Sequence, residues 1–388
     1  MAKRVILAVA GAGKTYHICH ELHPDKKNLI LAYTHENIHN IKRELISAHG
    51  YLPELTNVMT FDSFVYRYLI LPYEPSIMNH FNCSGIESMG ITTLDPPRRQ
   101  IETRPGRQIA NPRYVTKDKI GHYMTHQKQY YCSTLSELAL QIKKGRCSLI
   151  KRAAESINMF YDQLMIDEFQ DFREYDYDLI TALSQYVNNI LLVGDYYQHS
   201  VSAINNSGKP FKKNSKIVGY DEFIAELQNA GFIIDTQTLS KSRRCSSDVC
   251  SYVQNKLGIN IEAHGLNPGS VIWIDHKAAQ IIEDPSILKL VYNEAFKYTF
   301  RAMNWSYSKG DTVDNACVIL TDRFEAMDSD KFSVKKVAPS TINKLYVAMT
   351  RSRGNLYLMK ASTFKKLEKN YLKLLRSVRI KDKTKNNI

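Results

Sequence analysis

Residues 8–15 read AVAGAGKT and follow the apolar run VIL at 5–7. This order predicts a strand that leads into a phosphate-binding loop, with a helix after it whose positive end adds to the anion site. Successive backbone N–H groups around Gly11 and Gly13 would point at phosphate oxygens, and a side chain at either glycine would block that approach. The alternative is a glycine-rich turn without a ligand, since the usual first glycine of the pattern is Ala8 here. We expect a nucleotide-binding protein.

The same stretch supplies polar side chains suited to a nucleoside triphosphate. Lys14 would reach the outer phosphates, and the Thr15 hydroxyl would bind Mg²⁺. We therefore assign nucleotide binding to the following residues: Ala10, Gly11, Ala12, Gly13, Lys14 and Thr15.

Length and composition set the class of protein. The chain has 388 residues, enough for two or three domains, and 44% apolar with 10% aromatic residues is ample for packed cores. A formal net charge of +13 favours polyanionic partners, of which nucleic acid is the simplest. Excess lysine can also serve only to keep a surface soluble, and charge alone does not separate the two interpretations. One basic cluster consists of Arg98, Arg99, Arg104, Arg107 and Arg113.

The chain shows no sign of a membrane or secreted protein. No apolar run is long enough to span a bilayer, and the basic start Met1–Arg4 is followed by a strand rather than by a signal peptide. The seven cysteines are scattered without a CxxC pair, as in proteins with reduced thiols. We expect a cytoplasmic protein without a membrane partner.

Short apolar runs alternate with helical patterns near the start of the chain, which predicts a parallel α/β fold. The strand candidates of a first sheet are Val5–Val9, Leu29–Tyr33, Val58–Thr60, Leu164–Ile166 and Ile190–Val193. The last two run into acidic residues at the carboxyl edge, where ligands of open α/β sheets bind. Residues 71–156 break the pattern with many prolines and one clear helix, Thr134–Lys144, and predict an inserted basic subdomain.

A second α/β set follows a polar loop at Ser202–Lys216, a helix at Tyr220–Asn229 and a strand at Ile233–Leu239. Its predicted elements are the strands Val271–Ile274, Ala316–Leu320 and Leu356–Met359 and the helices Ser246–Leu257 and Thr341–Arg351. The tail Lys365–Lys385 predicts an amphipathic helix and a short disordered end.

The stretch IDEFQD places Asp167 and Glu168 directly after an apolar strand. A nucleoside triphosphatase needs a Mg²⁺-side carboxylate and a base for the attacking water, and these residues suit the two roles in that order. If the pair is taken alone, the alternative to these catalytic roles is that both acids cap a helix. Gln198, in VGDYYQ after another buried strand, could reach the γ-phosphate region.

Eight stretches occur in a fixed order along the chain: GAGKT, LAYTHENIHNIKREL, TFDSF, IDEFQD, VGDYYQ, LSKSRRCSS, SKGDTVD and LYVAMTRSR. This series resembles the UvrD/Rep-type superfamily 1 DNA helicases from residue 5 to about residue 358. The resemblance implies two RecA-like P-loop NTPase domains that clamp ATP and Mg²⁺ and step along single-stranded DNA in the 3′ to 5′ direction. The implied division is 1–70 with 157–240 for the first domain, 71–156 for the insertion and 241–388 for the second domain with its basic C-terminal helix.

The resemblance also assigns roles to residues at matching positions. Arg351 would be the arginine finger and Arg244 a second phosphate-contacting arginine, although an arginine on a helix is more often a surface charge when taken singly. With Lys14, Glu168 and Gln198 they form the implied catalytic set. Arg243 and Gly310 would join the nucleotide-binding set, Arg243 in place of the tyrosine that usually stacks on the base.

Contacts with the tracked strand follow from the same matching. The residues implied to hold phosphates are Thr34, Thr60, Ser63, Ser308 and Lys309. Phe64 could offer a ring on which a base stacks. The alternative for Phe61 and Phe64 is packing in the first core, and for Phe61 we prefer it.

The chain departs from the family pattern in ways that bear on function. Because the first predicted strand begins at Val5, we expect no room before the loop for the glutamine-bearing segment with which the family reads adenine. The interval between Arg244 and Ser308 is too short for the large second-domain insertion of full-length relatives. We therefore expect a compact motor. The alternatives are a nucleic-acid-stimulated ATPase subunit that regulates a partner nuclease or a repair or replication protein without unwinding, and a non-catalytic DNA-binding module. RNA stays an alternative to DNA because phosphate contacts do not distinguish the sugars.

Overall fold

The computed structural model describes residues 2–83, 87–104, 106–144, 147–199, 208–214, 216–330 and 332–370. The polar loop and the basic tail predicted from the sequence therefore lie partly outside the described residues. Residues 361–370, which enter that tail, are helical. Within these ranges none of the helices has the length and apolar content that a bilayer crossing requires.

The strands are mostly short. In chain order they are β1 (Ala2–Leu7), β2 (Asn28–Ala32), β3 (Thr56–Thr60), β4 (Gly90–Thr92), β5 (Gln100–Arg104), β6 (Arg107–Ala110), β7 (Gln129–Tyr131), β8 (Lys143–Lys144), β9 (Cys147–Ser148), β10 (Gln163–Asp167), β11 (Asn189–Gly194), β12 (Lys212–Lys213), β13 (Lys216–Ile217), β14 (Ile233–Asp235), β15 (Lys241–Ser242), β16 (Glu262–Ala263), β17 (Val271–Ile274), β18 (Ile287–Val291), β19 (Ala302–Asn304), β20 (Asn315–Ile319) and β21 (Leu356–Met359).

The α-helices connect these strands. In chain order they are α1 (Lys14–His20), α2 (His35–His49), α3 (Phe61–Phe64), α4 (Glu74–His80), α5 (Leu135–Gln141), α6 (Leu149–Phe160), α7 (Asp176–Leu183), α8 (Tyr220–Asn229), α9 (Ser247–Leu257), α10 (Ala278–Glu283) and α11 (Pro339–Met349). A π-helical stretch, Val65–Ile70, continues α3.

The first sheet contains, among the described residues, six parallel strands in the order β14-β1-β11-β10-β2-β3. Its interior strand β2 is buried at all five positions, as expected for a parallel sheet covered on both faces. The one polar side chain of β2 is Asn28, whose amide nitrogen donates to the carbonyls of His23 and Lys26 at 3.0 and 2.8 Å. The carboxyl ends of β1, β10 and β11 lie side by side, with Leu7 paired to Gly194.

The second sheet has five parallel strands in the described part of the chain, in the order β17-β21-β20-β18-β19. Strands β17, β20 and β21 confirm the three strands predicted from apolar runs. Strands β18 and β19 were not predicted. Lys289 lies in the middle of β18 and is fully buried, and it interrupts the apolar run that would have marked the strand.

The chain divides into two compact units. Unit 1 comprises the described residues of 1–7, 14–194 and 205–235, and unit 2 comprises those of 8–13, 195–204 and 236–388. Each unit contains one of the two parallel sheets. This confirms the predicted α/β class with two parallel sheets.

Several predicted elements have different limits in the structure. The helix predicted at Thr134–Lys144 is α5, which ends at Gln141 and is preceded by a 3₁₀ turn at Cys132–Thr134. The strand predicted at Ile233–Leu239 ends at Asp235, because β14 pairs with β1 only as far as the Ile6 position. Among its described residues, the region 71–156, which the sequence predicts to be an insertion, carries three small two-stranded sheets: β4 with β7, β5 with β6 and β8 with β9.

Candidate nucleotide and nucleic-acid site

The loop between β1 and α1 has the backbone that an anion site requires. Gly11 and Gly13 have φ values of +72° and +86°, in the left-handed region that glycine adopts without strain. Helix α1 begins at Lys14 directly after the loop. The predicted strand, loop and helix are therefore all present in the predicted order.

A magnesium-type pair of oxygen ligands lies in unit 1 at the end of β10. The Thr15 hydroxyl donates to Asp167 Oδ2 at 2.7 Å, and the other carboxylate oxygen accepts the Glu168 N–H at 2.9 Å. Hydroxyl and carboxylate oxygens are the ligands that Mg²⁺ prefers, so the residues present fit this cation. The pKa of Asp167 lies above its ordinary value, mainly because the carboxyl group is buried and secondly because of the negative charge of Glu168. A divalent cation would remove that penalty because it favours the charged carboxylate.

Glu168 is held by neighbours and by an unusual backbone. Its Oε1 lies 3.1 Å from the ammonium group of Lys14, and the amide of Gln170 donates to its Oε2. Glu168 has φ +57° and ψ +41°, a left-handed conformation that costs a non-glycine residue about 1–2 kcal/mol. Strained backbone of this kind clusters at functional sites, where the surrounding structure enforces it. The predicted pair of Asp167 and Glu168 therefore lies together with Lys14 and Thr15.

The glycine loop is bound tightly within unit 2. The Ala10 N–H donates to the Tyr346 hydroxyl at 2.8 Å, and the Arg243 N–H donates to the Gly11 carbonyl at 2.9 Å. A Cβ atom on Gly11 would lie 2.6 Å from Cβ of Arg244 and 2.9 Å from Oγ of Ser242. Gly11 is thus required by close packing as well as by its φ angle.

Behind the loop, a buried polar chain includes Gln198. The Tyr346 hydroxyl donates to Asp195 Oδ2 at 3.3 Å, and the Gln198 amide donates to the same oxygen at 2.7 Å. Burial and the charge of Asp195 raise the pKa of Tyr346 well above its usual range, so the phenol stays protonated. Gln198 and Tyr346 therefore donate to the same oxygen of Asp195, and Tyr346 also accepts the Ala10 N–H of the loop. Tyr346 was missed from the sequence. Asp195 was recognised there only as an acidic residue at a strand end, without a role of its own.

Two arginines lie in the same part of unit 2. Arg244 donates to the Thr350 carbonyl at 3.1 Å. Arg351 is only 1% exposed, and its Nε and Nη1 donate to the carbonyls of Val347 and Ser308 at 2.7 and 3.2 Å. Within the described residues Arg351 forms no salt bridge, and burial followed by the neighbouring charge of Arg244 lowers its pKa to about 9. Arg351 is therefore not a surface charge, and a buried cation of this kind gains stability from an anion.

Comparison with known proteins places the chain in a family. A model of the AAA domain family matches residues 2–203, more than half of the 388 residues. The chain belongs to the AAA domain family. As a P-loop fold, the AAA domain implies binding of ATP and Mg²⁺ in general terms.

The chain is also similar to solved helicase structures. One is Arterivirus nonstructural protein 10 (helicase) in complex with DNA, with 12% identity, 92% of this chain and 60% of that chain covered, and a TM-score of 0.43. Another is the PRRSV helicase, with 13% identity, 92% and 52% of the two chains covered, and a TM-score of 0.43. The chain thus spans between half and three fifths of the length of these structures. No curated protein sequence matches it.

Within the AAA domain, three predicted nucleic-acid contacts share one edge of the first sheet. Thr34 caps α2 by accepting the Asn37 N–H at 3.1 Å, and Thr60 caps α3 by accepting the Ser63 N–H at 3.1 Å. The Thr60 hydroxyl also donates to Oγ of Ser63 at 2.7 Å. Strands β2 and β3 are parallel and pair Ala32 with Thr60, so both caps lie at the carboxyl ends of neighbouring strands. Helix N-termini at this edge favour phosphate groups.

Two of the predicted nucleic-acid contacts do not lie where a strand could reach them. Phe64 is fully buried in the AAA domain core, with its ring near Phe61 and Tyr68, so it offers no free face to a base. Ser308 is also fully buried, and its hydroxyl donates to the Trp305 carbonyl at 2.8 Å. The core interpretation, preferred from the sequence for Phe61 alone, therefore holds for both phenylalanines.

Two exposed aromatic residues outside the AAA domain match were missed from the sequence. Phe296 is 83% exposed in a 3₁₀ turn after β18, and Tyr307 is 65% exposed in a 3₁₀ turn after β19. The two turns are joined because the Ala295 N–H donates to Asn304 Oδ1 at 2.8 Å. Gly310, with φ +91°, follows Lys309 in the same segment. The sequence signal for Phe296 is an aromatic residue soon after the end of a strand. This signal could be used only if β18 had first been predicted.

Proposed function

We propose that the chain is an ATP-dependent single-stranded DNA translocase or helicase, with the 3′ to 5′ direction that the UvrD/Rep-type resemblance implies. The observation that carries the proposal is the group formed by Lys14, Thr15, Asp167 and Glu168, with bonds of 2.7 Å between Thr15 and Asp167 and 3.1 Å between Lys14 and Glu168. These residues supply a phosphate-binding cation, a pair of Mg²⁺ ligands and a base. That set suits hydrolysis of a nucleoside triphosphate.

In the proposed reaction the residues of unit 1 have separate roles. Thr15 and Asp167 hold Mg²⁺, which when bound neutralises charge on the phosphates. Lys14 binds the outer phosphates and leaves Glu168, which then accepts a proton from the attacking water. The ion pair between Lys14 and Glu168 keeps the base neutralised until a triphosphate draws Lys14 away.

The glycine loop and the arginines of unit 2 have proposed roles of their own. The backbone N–H groups from Ala10 to Gly13 bind phosphate oxygens, with Arg243 and Gly310 in the nucleotide-binding set. Arg244 and Arg351 stabilise charge that develops in the transition state, and Gln198 helps to orient the reacting groups. The guanidinium of Arg351 is buried and forms no ion pair among the described residues, which supports this role because a charge in a poorly solvated place interacts strongly with an anion.

For nucleic acid we propose phosphate contacts at Thr34, Thr60, Ser63 and Lys309. Phe296 and Tyr307 replace Phe64 as the rings on which bases stack, since both are exposed and their turns are joined. Stacking of this kind tolerates any base sequence and suits a motor that moves along a strand.

A second function is favoured by the burial of Phe64 and Ser308, which removes two of the implied strand contacts. In this alternative the chain is a nucleic-acid-stimulated ATPase that regulates a partner nuclease or a repair or replication protein. Hydrolysis would then occur without unwinding by the isolated chain.

Paired assays distinguish the two functions. ATP hydrolysis is measured with single-stranded DNA, duplex DNA, RNA and no polymer at two salt concentrations, and strand displacement is measured on a DNA duplex with a 3′ single-stranded tail. The translocase or helicase predicts stimulation by single-stranded DNA together with displacement or movement along the strand. Stimulated hydrolysis without movement supports the regulatory ATPase, and no hydrolysis under any condition contradicts both.

A further inference from the structure

The inserted region carries an isolated two-stranded ribbon, which we call the arginine ribbon and define as residues 98–113. Strands β5 and β6 pair in antiparallel fashion, with Gln100 opposite Ala110 and Ile101 opposite Ile109, and in the described residues they pair with no other strand. The pairing extends past the strands because the Asn111 N–H donates to the Arg99 carbonyl at 2.9 Å. All four residues of β6 are exposed.

The charge of the arginine ribbon is strongly positive and is not neutralised by neighbours. Residues 98–113 contain five arginines and one acid, Glu102. The carboxylate of Glu102 accepts the Gly106 N–H at 2.8 Å. Arg98, Arg99, Arg107 and Arg113 are exposed, and none of them forms an ion pair with a described carboxylate. Their charges are available to a polyanion.

One face of the arginine ribbon also exposes apolar groups. Ile101 and Ile109 are 38% and 39% exposed and lie directly opposite each other. Arg107 shares their face, because side chains two residues apart in a strand point the same way. A two-stranded ribbon alone is marginally stable in water, and both isoleucines of this one stay more than a third exposed. The ribbon therefore contributes little core to the fold, and its composition suits an external partner.

We propose that the arginine ribbon binds double-stranded DNA by lying in the major groove. The major groove of B-form DNA, about 12 Å wide, admits a two-stranded β-ribbon. Arginines at its ends and edges would contact the flanking phosphates, Arg107 would face base edges, and the isoleucine pair would meet apolar groups such as thymine methyls. A single strand has no groove to fill, and the major groove of A-form RNA is too narrow for side chains to read. Duplex binding by the arginine ribbon needs no ATP hydrolysis and is separate from the proposed function.

The test measures binding of the full chain, without nucleotide, to fluorescently labelled duplex DNA, the matching single strand and duplex RNA at several salt concentrations. The ribbon variant carries Arg98→Gln, Arg99→Gln, Arg107→Gln and Arg113→Gln. The control variant removes four exposed charges elsewhere, by Lys26→Gln, Lys27→Gln, Lys277→Gln and Arg323→Gln. Circular dichroism melting establishes that both variants are folded.

The ribbon variant is expected to lose at least tenfold in duplex affinity relative to the control variant. The slope of log affinity against log salt should fall by about 0.9 for each phosphate contact removed. Affinity for the single strand should change less than twofold. Equal duplex affinity in the two variants, equal losses for duplex and single strand, or wild-type binding to duplex RNA as tight as to duplex DNA would each overturn the proposal.

A second pair of variants tests the groove without changing charge. Ile101→Ser with Ile109→Ser should weaken duplex binding at least threefold and leave the salt slope unchanged, whereas unchanged affinity contradicts insertion of this face. Hydrolysis of ATP stimulated by single-stranded DNA should stay intact in all ribbon variants. Absence of that hydrolysis in the wild-type chain would contradict the proposed function but not the arginine ribbon.

Discussion

The ammonium group of Lys14 lies 3.1 Å from Oε1 of Glu168, although the two residues are separated by most of unit 1 in sequence. Lys14 opens α1 after the glycine loop, and Glu168 follows β10 in a left-handed conformation. Because β1 and β10 both flank β11 in a parallel sheet, their carboxyl ends bring these residues to one edge. The ion pair thus joins the phosphate-binding cation to the proposed base.

Replacement of the base should stop catalysis and spare binding. Glu168→Gln keeps the size of the side chain but cannot accept a proton, and general bases contribute about 10²–10⁴-fold to rate. We expect ATP hydrolysis to fall at least a hundredfold while ATP affinity, measured by titration of a fluorescent analogue, changes less than fivefold. The exposed control Glu54→Gln should hydrolyse ATP as the wild type does. Full activity in Glu168→Gln would remove Glu168 from the reaction.

Gly11 should be needed for stability as well as for phosphate binding. In Gly11→Ala the new Cβ would meet Arg244 Cβ at 2.6 Å and would also sit at a φ of +72°. Gly50→Ala is a matched control, since Gly50 has φ +79° but open space around its Cβ. The control should lose about 1 kcal/mol from strain alone, and Gly11→Ala about 2–4 kcal/mol. Chemical denaturation measures both, and equal losses would show that the close approach to Arg244 is absent.

Buried Lys289 should give the stability of unit 2 a distinctive pH dependence. Its ammonium group is fully buried, donates to the Ile287 carbonyl at 2.9 Å, and has a pKa that burial lowers below its ordinary value. The unfolded chain therefore binds more protons between the folded and unfolded pKa values, so stability rises with pH in that interval. At pH values below that interval Lys289 is charged in the folded protein, and the cost of burying this charge lowers the stability by its full amount.

Lys289→Met replaces the buried cation with an apolar side chain of similar length. We expect the variant to be as stable as the wild type or more stable at pH 7, with the difference shrinking as the pH approaches 10.5. Urea denaturation at the two pH values measures it. A difference that grows with pH would mean that Lys289 is not penalised by burial.

The exposed rings of Phe296 and Tyr307 should contribute to binding of single strands. Each replacement by alanine should weaken affinity for single-stranded DNA by about 1–3 kcal/mol if a base stacks on the ring. Met159→Ala removes a comparably exposed apolar side chain from α6 and serves as the control. Fluorescence anisotropy with a labelled oligonucleotide measures the three variants. If the aromatic variants bind as tightly as the control, the rings have no part in strand binding.

The sequence was most informative where apolar runs and glycine spacing determine structure locally. The loop at 8–15 and the acids after β10 could be predicted because short-range pattern sets both. By contrast, β18 could not be predicted because Lys289 interrupts its apolar run. Only the folded structure shows that a backbone carbonyl accepts a hydrogen bond from this buried lysine. The burial of Phe64 and the chain from Tyr346 to Asp195 arise from packing between distant segments, which no local pattern encodes.

The most direct test of the central claim is the rate of ATP hydrolysis by the wild-type chain with and without single-stranded DNA. The variant Glu168→Gln, measured in the same way, is the negative control. The account predicts Mg²⁺-dependent hydrolysis that single-stranded DNA stimulates at least tenfold and that the variant lacks. A rate that is the same with and without the strand, or that survives in Glu168→Gln, would contradict it.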